Sequence, residues 1–226
     1  MKDYLSLVIP RGGAALINYV VNESTVPSIE TGVGNCHVYI DKDANPEKAL
    51  EITINAKTQR PSVCNACESI LVHEDLKDSW LPKLIQKLTE NKVEIRGCNK
   101  TKAAAKETEI IEASEDDWSE EYLDMVVSIK VIENVEAAIK HINKYGSMHT
   151  EAILSENQET IKKFTKSIDA AAIAVNASTR FTDGGEFGFG AEMGISTQKL
   201  HARGPLGLPE LTTYKYLIKG DGQIRE

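Results

Sequence analysis

The sequence predicts an α/β architecture with mostly parallel strands, and two observations carry that prediction. Short β-branched runs alternate with segments of helical period along most of the chain, the order that βαβ units require. Several of these runs, such as Leu5 to Ile9 and Ala170 to Val175, are nearly all apolar, which suits strands covered on both faces.

The elements follow in order. Leu5 to Ile9 reads as a buried strand, Gly13 to Val21 as a helix and Cys36 to Ile40 as a strand. Asn45 caps a helix running through Ala56, with Pro46 at its first position, where the missing N–H costs nothing. Ile70 to His73 is a strand, Ser79 to Asn91 a helix, Val93 to Arg96 a strand and Met125 to Ile132 a longer strand. Asn134 caps a helix that ends at Tyr145, with Gly146 expected as a left-handed stop. Ala152 to Leu154 is a strand, and Ser155 with Gln158 reads as a capping box for the helix after it. Ala170 to Val175 is the next strand. From Asn176 to Pro209 the chain is irregular and rich in Gly, Ser, Thr and Phe, a composition that marks a working segment rather than an idle one. Thr212 to Lys219 reads as a terminal strand. Such a strand often pairs outside its own sheet, which predicts a subunit contact. The acidic cluster Glu112 to Glu121 is expected to be a solvated turn.

Composition bounds the function. With 226 residues, 41% hydrophobic and 27% charged, the chain has the make-up of an ordinary soluble globular protein. A net charge of -8 repels phosphate backbones and argues against nucleic acid as a partner. No apolar run approaches the roughly 18 residues of a membrane helix, so a cytoplasmic location is expected, with no membrane partner. The four cysteines, Cys36, Cys64, Cys67 and Cys98, are then expected to be reduced.

The segment Asn55-Ala-Lys-Thr-Gln-Arg-Pro-Ser-Val-Cys64-Asn-Ala-Cys67-Glu68 holds the sharpest chemistry. Pro61 and Ser62 resemble a helix start, which would place Cys64 in a first helical turn, where free amides and the dipole favour a thiolate. A small buried apolar residue is the competing reading of Cys64. The Cys64–Cys67 spacing also suits redox exchange or half a zinc site, although no second close ligand pair accompanies it, so no metal is expected. Cys67 reads as a buried neighbour on the same helix face. Arg11-Gly12-Gly13 follows a strand and opens a helix, so its amides could meet a phosphate or a nicotinamide ribose, or the glycines could simply make a tight strand-helix turn. Thr31-Gly-Val-Gly34 is a second glycine turn, preceded by Glu30, a possible general base or an exposed strand end. Arg180 and Arg203 stand in glycine-bearing loops suited to carboxylate or phosphate, or to surface ion pairs. His37, His73, His141, His149 and His201 lack ligand spacing and are read as structural.

Five strings together resemble one family. Val8-Ile-Pro-Arg-Gly-Gly-Ala-Ala-Leu-Ile17, Asn55 to Ala66, Asn176 to Phe189, Ile195-Ser-Thr-Gln-Lys-Leu-His-Ala-Arg-Gly-Pro205 and Leu211-Thr-Thr-Tyr-Lys215 are similar to gamma-glutamyl phosphate reductase (glutamate-5-semialdehyde dehydrogenase), of the aldehyde dehydrogenase superfamily. The resemblance runs over essentially the whole chain. It implies an aldehyde dehydrogenase-like catalytic domain at 34–169, the end of an NADP-binding domain at 1–33, and a return to that cofactor domain with an oligomerisation strand at 170–226. Cys64 matches the family's nucleophile. It would attack L-glutamyl 5-phosphate and expel phosphate, and NADPH would reduce the thioester to glutamate 5-semialdehyde, the second step of proline biosynthesis from glutamate. Glu121 resembles the glutamate that holds the nicotinamide ribose. Asn176 resembles the asparagine closing the catalytic strand. Arg180 is assigned to the substrate carboxylate, Asn176 is also assigned to substrate binding, and Arg11, Gly12 and Gly13 are assigned to the cofactor. Glu30 falls where hydrolytic relatives carry a base, a role that a reduction does not require. The implied partners are the small-molecule substrate, further copies of the chain through the C-terminal strand, and a functional link to glutamate 5-kinase. Family chains are about twice this length, so weak NADPH binding and no turnover by this chain alone are expected.

Overall fold

The structure is a computed structural model that describes residues 2–105 and 108–226. Its centre is a seven-stranded parallel sheet in the order β4-β3-β5-β2-β1-β6-β7. The strands are β1 (Cys36–Ile40), β2 (Cys67–His73), β3 (Glu94–Gly97), β4 (Ile111–Glu112), β5 (Val126–Ile132), β6 (Thr150–Leu154) and β7 (Ala172–Val175). The connecting helices are α2 (Pro46–Thr58), α3 (Leu81–Glu90), α4 (Asn99–Ala104), α5 (Val135–Tyr145) and α6 (Gln158–Ser167), preceded by α1 (Ala14–Glu23).

The two-residue period of a strand divides the side chains between two cores. Val38, Ile40, Ile70, Val72, Ala152 and Leu154 pack on the side of α2, α3 and α4, with Ala49, Ala56, Leu81, Leu84, Ile85 and Leu88. Tyr39, Leu71 and Ile153, one step along, face α5 and α6, where they meet Ala138, Ile142 and Phe164. Both faces are covered, so β1, β2 and β6 are buried throughout, as their sequences imply. The sheet continues through β7, past the boundary expected at 169.

A smaller unit sits beside this sheet. Val8 bridges Ser28 and Thr31 bridges Ser196, and Ile29, Ala202 and Leu206 form a core with Leu7 and Ile9. The short antiparallel pair β8 (Ile195–Ser196) and β9 (Gly204–Pro205) completes it. The segment 7–31 therefore packs against the segment 195–206.

Local signals placed most boundaries. Asn45 accepts from the Glu47 and Lys48 amides at the start of α2, and Asn134 accepts from Ala137 N–H at the start of α5. Five expectations need correction. Leu5–Ile9 is not a strand; it contributes one bridge at Val8, because among the described residues its backbone pairs only with the Pro27–Ile29 segment. Gly146 has φ -66°, so α5 ends without a left-handed residue. The cap of α6 is Asn157, not Ser155, whose hydroxyl instead donates to Asp41 Oδ2 at 2.8 Å. The acidic segment 112–121 is only partly solvated: Asp117 is buried and accepts from Arg96 Nη1 (2.7 Å), Ser114 and Tyr122. Burial would raise the Asp117 pKa, yet these bonds hold it at about 2. Thr212–Lys219 forms no strand and lies exposed, with no ladder partner among the described residues.

Candidate active site

The loops entering β1, β2 and β5 meet at the amino ends of the sheet strands, opposite to the carboxyl-end crevice usual in parallel sheets. Between them and α1 lies a cleft of about 720 Å³. Cys64 lines it, with Arg60, Asn65, Arg180 and Glu192 around the thiol and Arg11, Gly12, Gly13 and Glu121 on the α1 side.

Cys64 is not in a helix. Residues 61–66 form a turn, closed by the Ala66 N–H on the Val63 carbonyl at 2.9 Å, and β2 begins at Cys67. The pairing of Cys67 with Cys36 commits the chain to the sheet just where a helix would need to continue, which overrides the Pro61-Ser62 signal. The electrostatic expectation reverses with it. Burial pushes the Cys64 thiol up to about 11, Glu192 and Glu121 push the same way, and its own amide and Arg180 oppose them. A protonated thiol is the resting form at neutral pH.

Cys67 is likewise not on a helix. It is fully buried at the first position of β2, its Sγ 3.4 Å from the Ser69 carbonyl, and burial pushes its thiol to about 12. Among the described residues no three His, Cys, Asp or Glu side chains come together as metal ligands.

The turn is held from below. Cys36 Sγ lies 3.2 Å from the Cys64 carbonyl oxygen, and Asn65 Nδ2 donates to the Thr182 carbonyl at 2.8 Å. Gly34 presses so close that a Cβ there would stand 1.6 Å from the Cys64 oxygen. Its N–H donates to Glu121 Oε1 at 2.7 Å, which fixes that carboxylate at the cleft wall. Burial raises the pKa of Glu121 against this bond.

Arg180 Nε donates to Gln59 Oε1 at 2.8 Å, which aims the guanidinium from the 176–189 loop back over α2. Arg11 Nη1 donates to the Met193 carbonyl at 3.0 Å. Gly12 has φ +152°, and α1 starts with no side-chain cap and no acidic residue in its first turn, so its amides ahead of Leu16 have no acceptor among the described residues and stay open to an anion. Asn176 is elsewhere. It has φ +52° at the end of β7, its amide is engaged on both sides by Ser155, and it is not among the residues lining the cleft. Glu30 is also absent from the lining; its N–H is bound by Gln198 Oε1. Arg203 pairs with Asp169 instead of facing the cleft. The histidines take structural places: His37 is buried on Glu151, and His141 packs against Trp118 and Tyr145. Sequence reading missed Arg60, Asn65, Asp183 and Glu192. Arg60 and Asn65 adjoin Cys64 and lay in the quoted string, whereas Glu192 carries no local motif that links it to a remote thiol.

The fold is aldehyde dehydrogenase-like. An acetylating aldehyde dehydrogenase from Geobacillus thermoglucosidasius shares the fold with TM-score 0.73 at 20% identity, over 98% of this chain and 58% of that one. The crystal structure of gamma-glutamyl phosphate reductase from Thermotoga maritima matches with TM-score 0.96 and 56% identity, over 100% of this chain and 54% of that one. Gamma-glutamyl phosphate reductase of Caldicellulosiruptor saccharolyticus is 60% identical over 228 residues, covering 100% of this chain and 54% of its own length. No family model matches the chain. Over its whole length, then, the chain matches the C-terminal half of gamma-glutamyl phosphate reductases, and it spans about half the length of these curated relatives.

Proposed function

We propose that this chain carries the thiol site of a gamma-glutamyl phosphate reductase, the enzyme that reduces L-glutamyl 5-phosphate to glutamate 5-semialdehyde in proline biosynthesis. The observation that carries the reading is the placement of Cys64 in a cleft with two arginines, in a chain 60% identical to a protein of that name. Arg60 and Arg180 both line the wall beside the thiol, and a substrate with a phosphate and a carboxylate suits such a pair.

The steps follow from the groups present. Cys64 Sγ gives up its proton and attacks the acyl carbon; the bond to the phosphate oxygen breaks and phosphate leaves, with the cations stabilising its charge. The thiol's high pKa means that a nearby base must take the proton, and Glu192 and Glu121, both raised by burial, are the carboxylates whose charge it feels. A nicotinamide cofactor, NADPH by the resemblance, would supply the hydride that reduces the thioester. The open amides at Gly12 and Gly13, Arg11 and the fixed Glu121 carboxylate fit a phosphate-bearing, ribose-bearing ligand on that wall. Membrane association is not part of this reading, and among the described residues no helix is long and apolar enough to cross a membrane. A cytoplasmic location, a link to glutamate 5-kinase and assembly through residues 212–219 complete the proposal.

The test is to generate L-glutamyl phosphate in situ with glutamate 5-kinase and examine the chain by mass spectrometry. A hydroxylamine-sensitive glutamyl adduct on Cys64 is expected. An adduct spread over the other cysteines, or none, would overturn the reading.

A further inference from the structure

The floor under the Cys64 turn includes a second thiol that the reaction does not use. Cys36 opens β1, is fully buried, and places its Sγ 3.2 Å from the Cys64 carbonyl oxygen. No other donor reaches that carbonyl among the described residues. The backbone of Cys36 is itself fixed: its N–H donates to the Gly34 carbonyl at 3.0 Å, and the ladder to β2 shifts register between Cys36 and His37.

A competing acceptor lies close. His149 Nδ1 is 3.7 Å from Cys36 Sγ, and Thr150 Oγ1 is 2.9 Å from the same nitrogen. If the nitrogen carries a proton, it cannot accept the S–H. If it is bare, the hydroxyl holds its lone pair at shorter range. In either tautomer the Cys36 proton is left for the Cys64 carbonyl. Burial and the neighbouring Glu151 hold the Cys36 thiol protonated, so the donor persists at working pH.

We propose that Cys36 is a positioning residue whose S–H holds the Cys64 carbonyl inward and so fixes the Cys64 side chain in the cleft. The inference rests on the reading of Cys64 as the nucleophile. Without the donor the partly buried Cys64 carbonyl has no partner among the described residues, and the peptide relieves this by rotating toward water. The thiol moves with it, out of the surroundings that raise its pKa.

The experiment measures the alkylation rate of Cys64 against pH, by peptide-resolved mass spectrometry on the full chain, for wild type, Cys36→Val, Cys36→Ala and Cys36→Ser. Valine and alanine remove the donor; serine keeps one. Melting curves identify which variants fold. The expected result is a Cys64 midpoint lower by one pH unit in Cys36→Val, read as an about tenfold faster reaction below both midpoints, with Cys36→Ser close to wild type. A valine profile that coincides with wild type overturns the proposal. So does a serine profile displaced as far as valine, which would assign the effect to packing. If valine does not fold, alanine against serine decides on the same terms. Failure of the glutamyl adduct would instead count against the nucleophile reading, since the variants are compared at one thiol with no substrate present.

Discussion

Lys57 Nζ lies 2.5 Å from Glu68 Oε2, and both side chains are fully buried. The second Glu68 oxygen accepts from Leu123 N–H at 3.2 Å, so the pair ties the end of α2 to β2 and to the segment that carries Glu121. Above pH 7, where Glu68 is ionised, removing Lys57 leaves a buried carboxylate alone. Lys57→Met is therefore expected to cost about 3–5 kcal/mol in chemical denaturation, and the joint change with Glu68→Leu to recover much of it. A Lys57→Met chain as stable as wild type would show the pair to be dispensable.

The same pair gives a pH dependence. Burial raises the Glu68 pKa from 4.5 to about 7, outweighing the attraction of Lys57. An acid whose pKa is raised by folding binds its proton more tightly in the native state. Its contribution is fully present below 4.5 and is lost as pH rises through 7. Urea midpoints should show this fall between those values, and Glu68→Gln should flatten it. An equal slope in the variant would place the titration elsewhere.

Gly34→Ala is expected to damage the site more than its size suggests. The added Cβ would stand 1.6 Å from the Cys64 oxygen, so backbone and not side chain must move. A loss of about 3 kcal/mol, the upper end of overpacking costs, should accompany a changed Cys64 alkylation profile. A variant with wild-type melting and wild-type Cys64 reactivity would contradict the contact.

Much of this fold could be read from local signals, because caps and strand runs are written in neighbouring residues. Asn45-Pro46 and Asn134 marked their helix starts correctly, and Cys36 to Ile40 is the strand that its apolar run implied. The site could be read in part. Arg11, Gly12, Gly13, Glu121 and Arg180 do gather with Cys64 in one cleft, although their separate roles are proposals. What local pattern misread was the thiol's setting. Pro61-Ser62 resembles a helix start, but pairing between Cys36 and Cys67, far apart in sequence, makes that stretch a turn. The carboxylates that raise the thiol's pKa come from Glu192 and Glu121, which only the tertiary fold brings near.

That setting has a measurable sign. Alkylation of Cys64 should report a midpoint near 11. Glu192→Gln removes the largest charge raising it and should lower the midpoint; Arg180→Gln removes a cation and should raise it further. Opposite shifts would mean that the two residues do not face the thiol as the structure has them.

Arg180 gives a second handle on substrate recognition. Arg180→Lys keeps the charge but loses the planar fork and the Nε donor to Gln59. In an enzyme assay on the complete reductase, KM for the acyl phosphate should rise while kcat changes less. An unchanged KM would remove Arg180 from the substrate site.

The last prediction concerns the C-terminal segment. Tyr214, Tyr216 and Ile218 alternate along it and are 78%, 83% and 92% exposed, and the two tyrosine rings meet edge to face with centroids 5.4 Å apart. A period of two places these three on one side of an extended chain, with free backbone groups along its edges. Apart from the contact between the two tyrosines, these side chains are left uncovered by the described residues, and a sheet edge of a second copy would supply both the cover and the ladder. Sedimentation at rising concentration should therefore show self-association. Tyr216→Pro removes a ladder donor at the centre of the segment without touching the main sheet, and should shift the chain toward monomer with little change in melting temperature. A wild-type chain that stays monomeric, or a proline variant that assembles as well, would assign these side chains to another role.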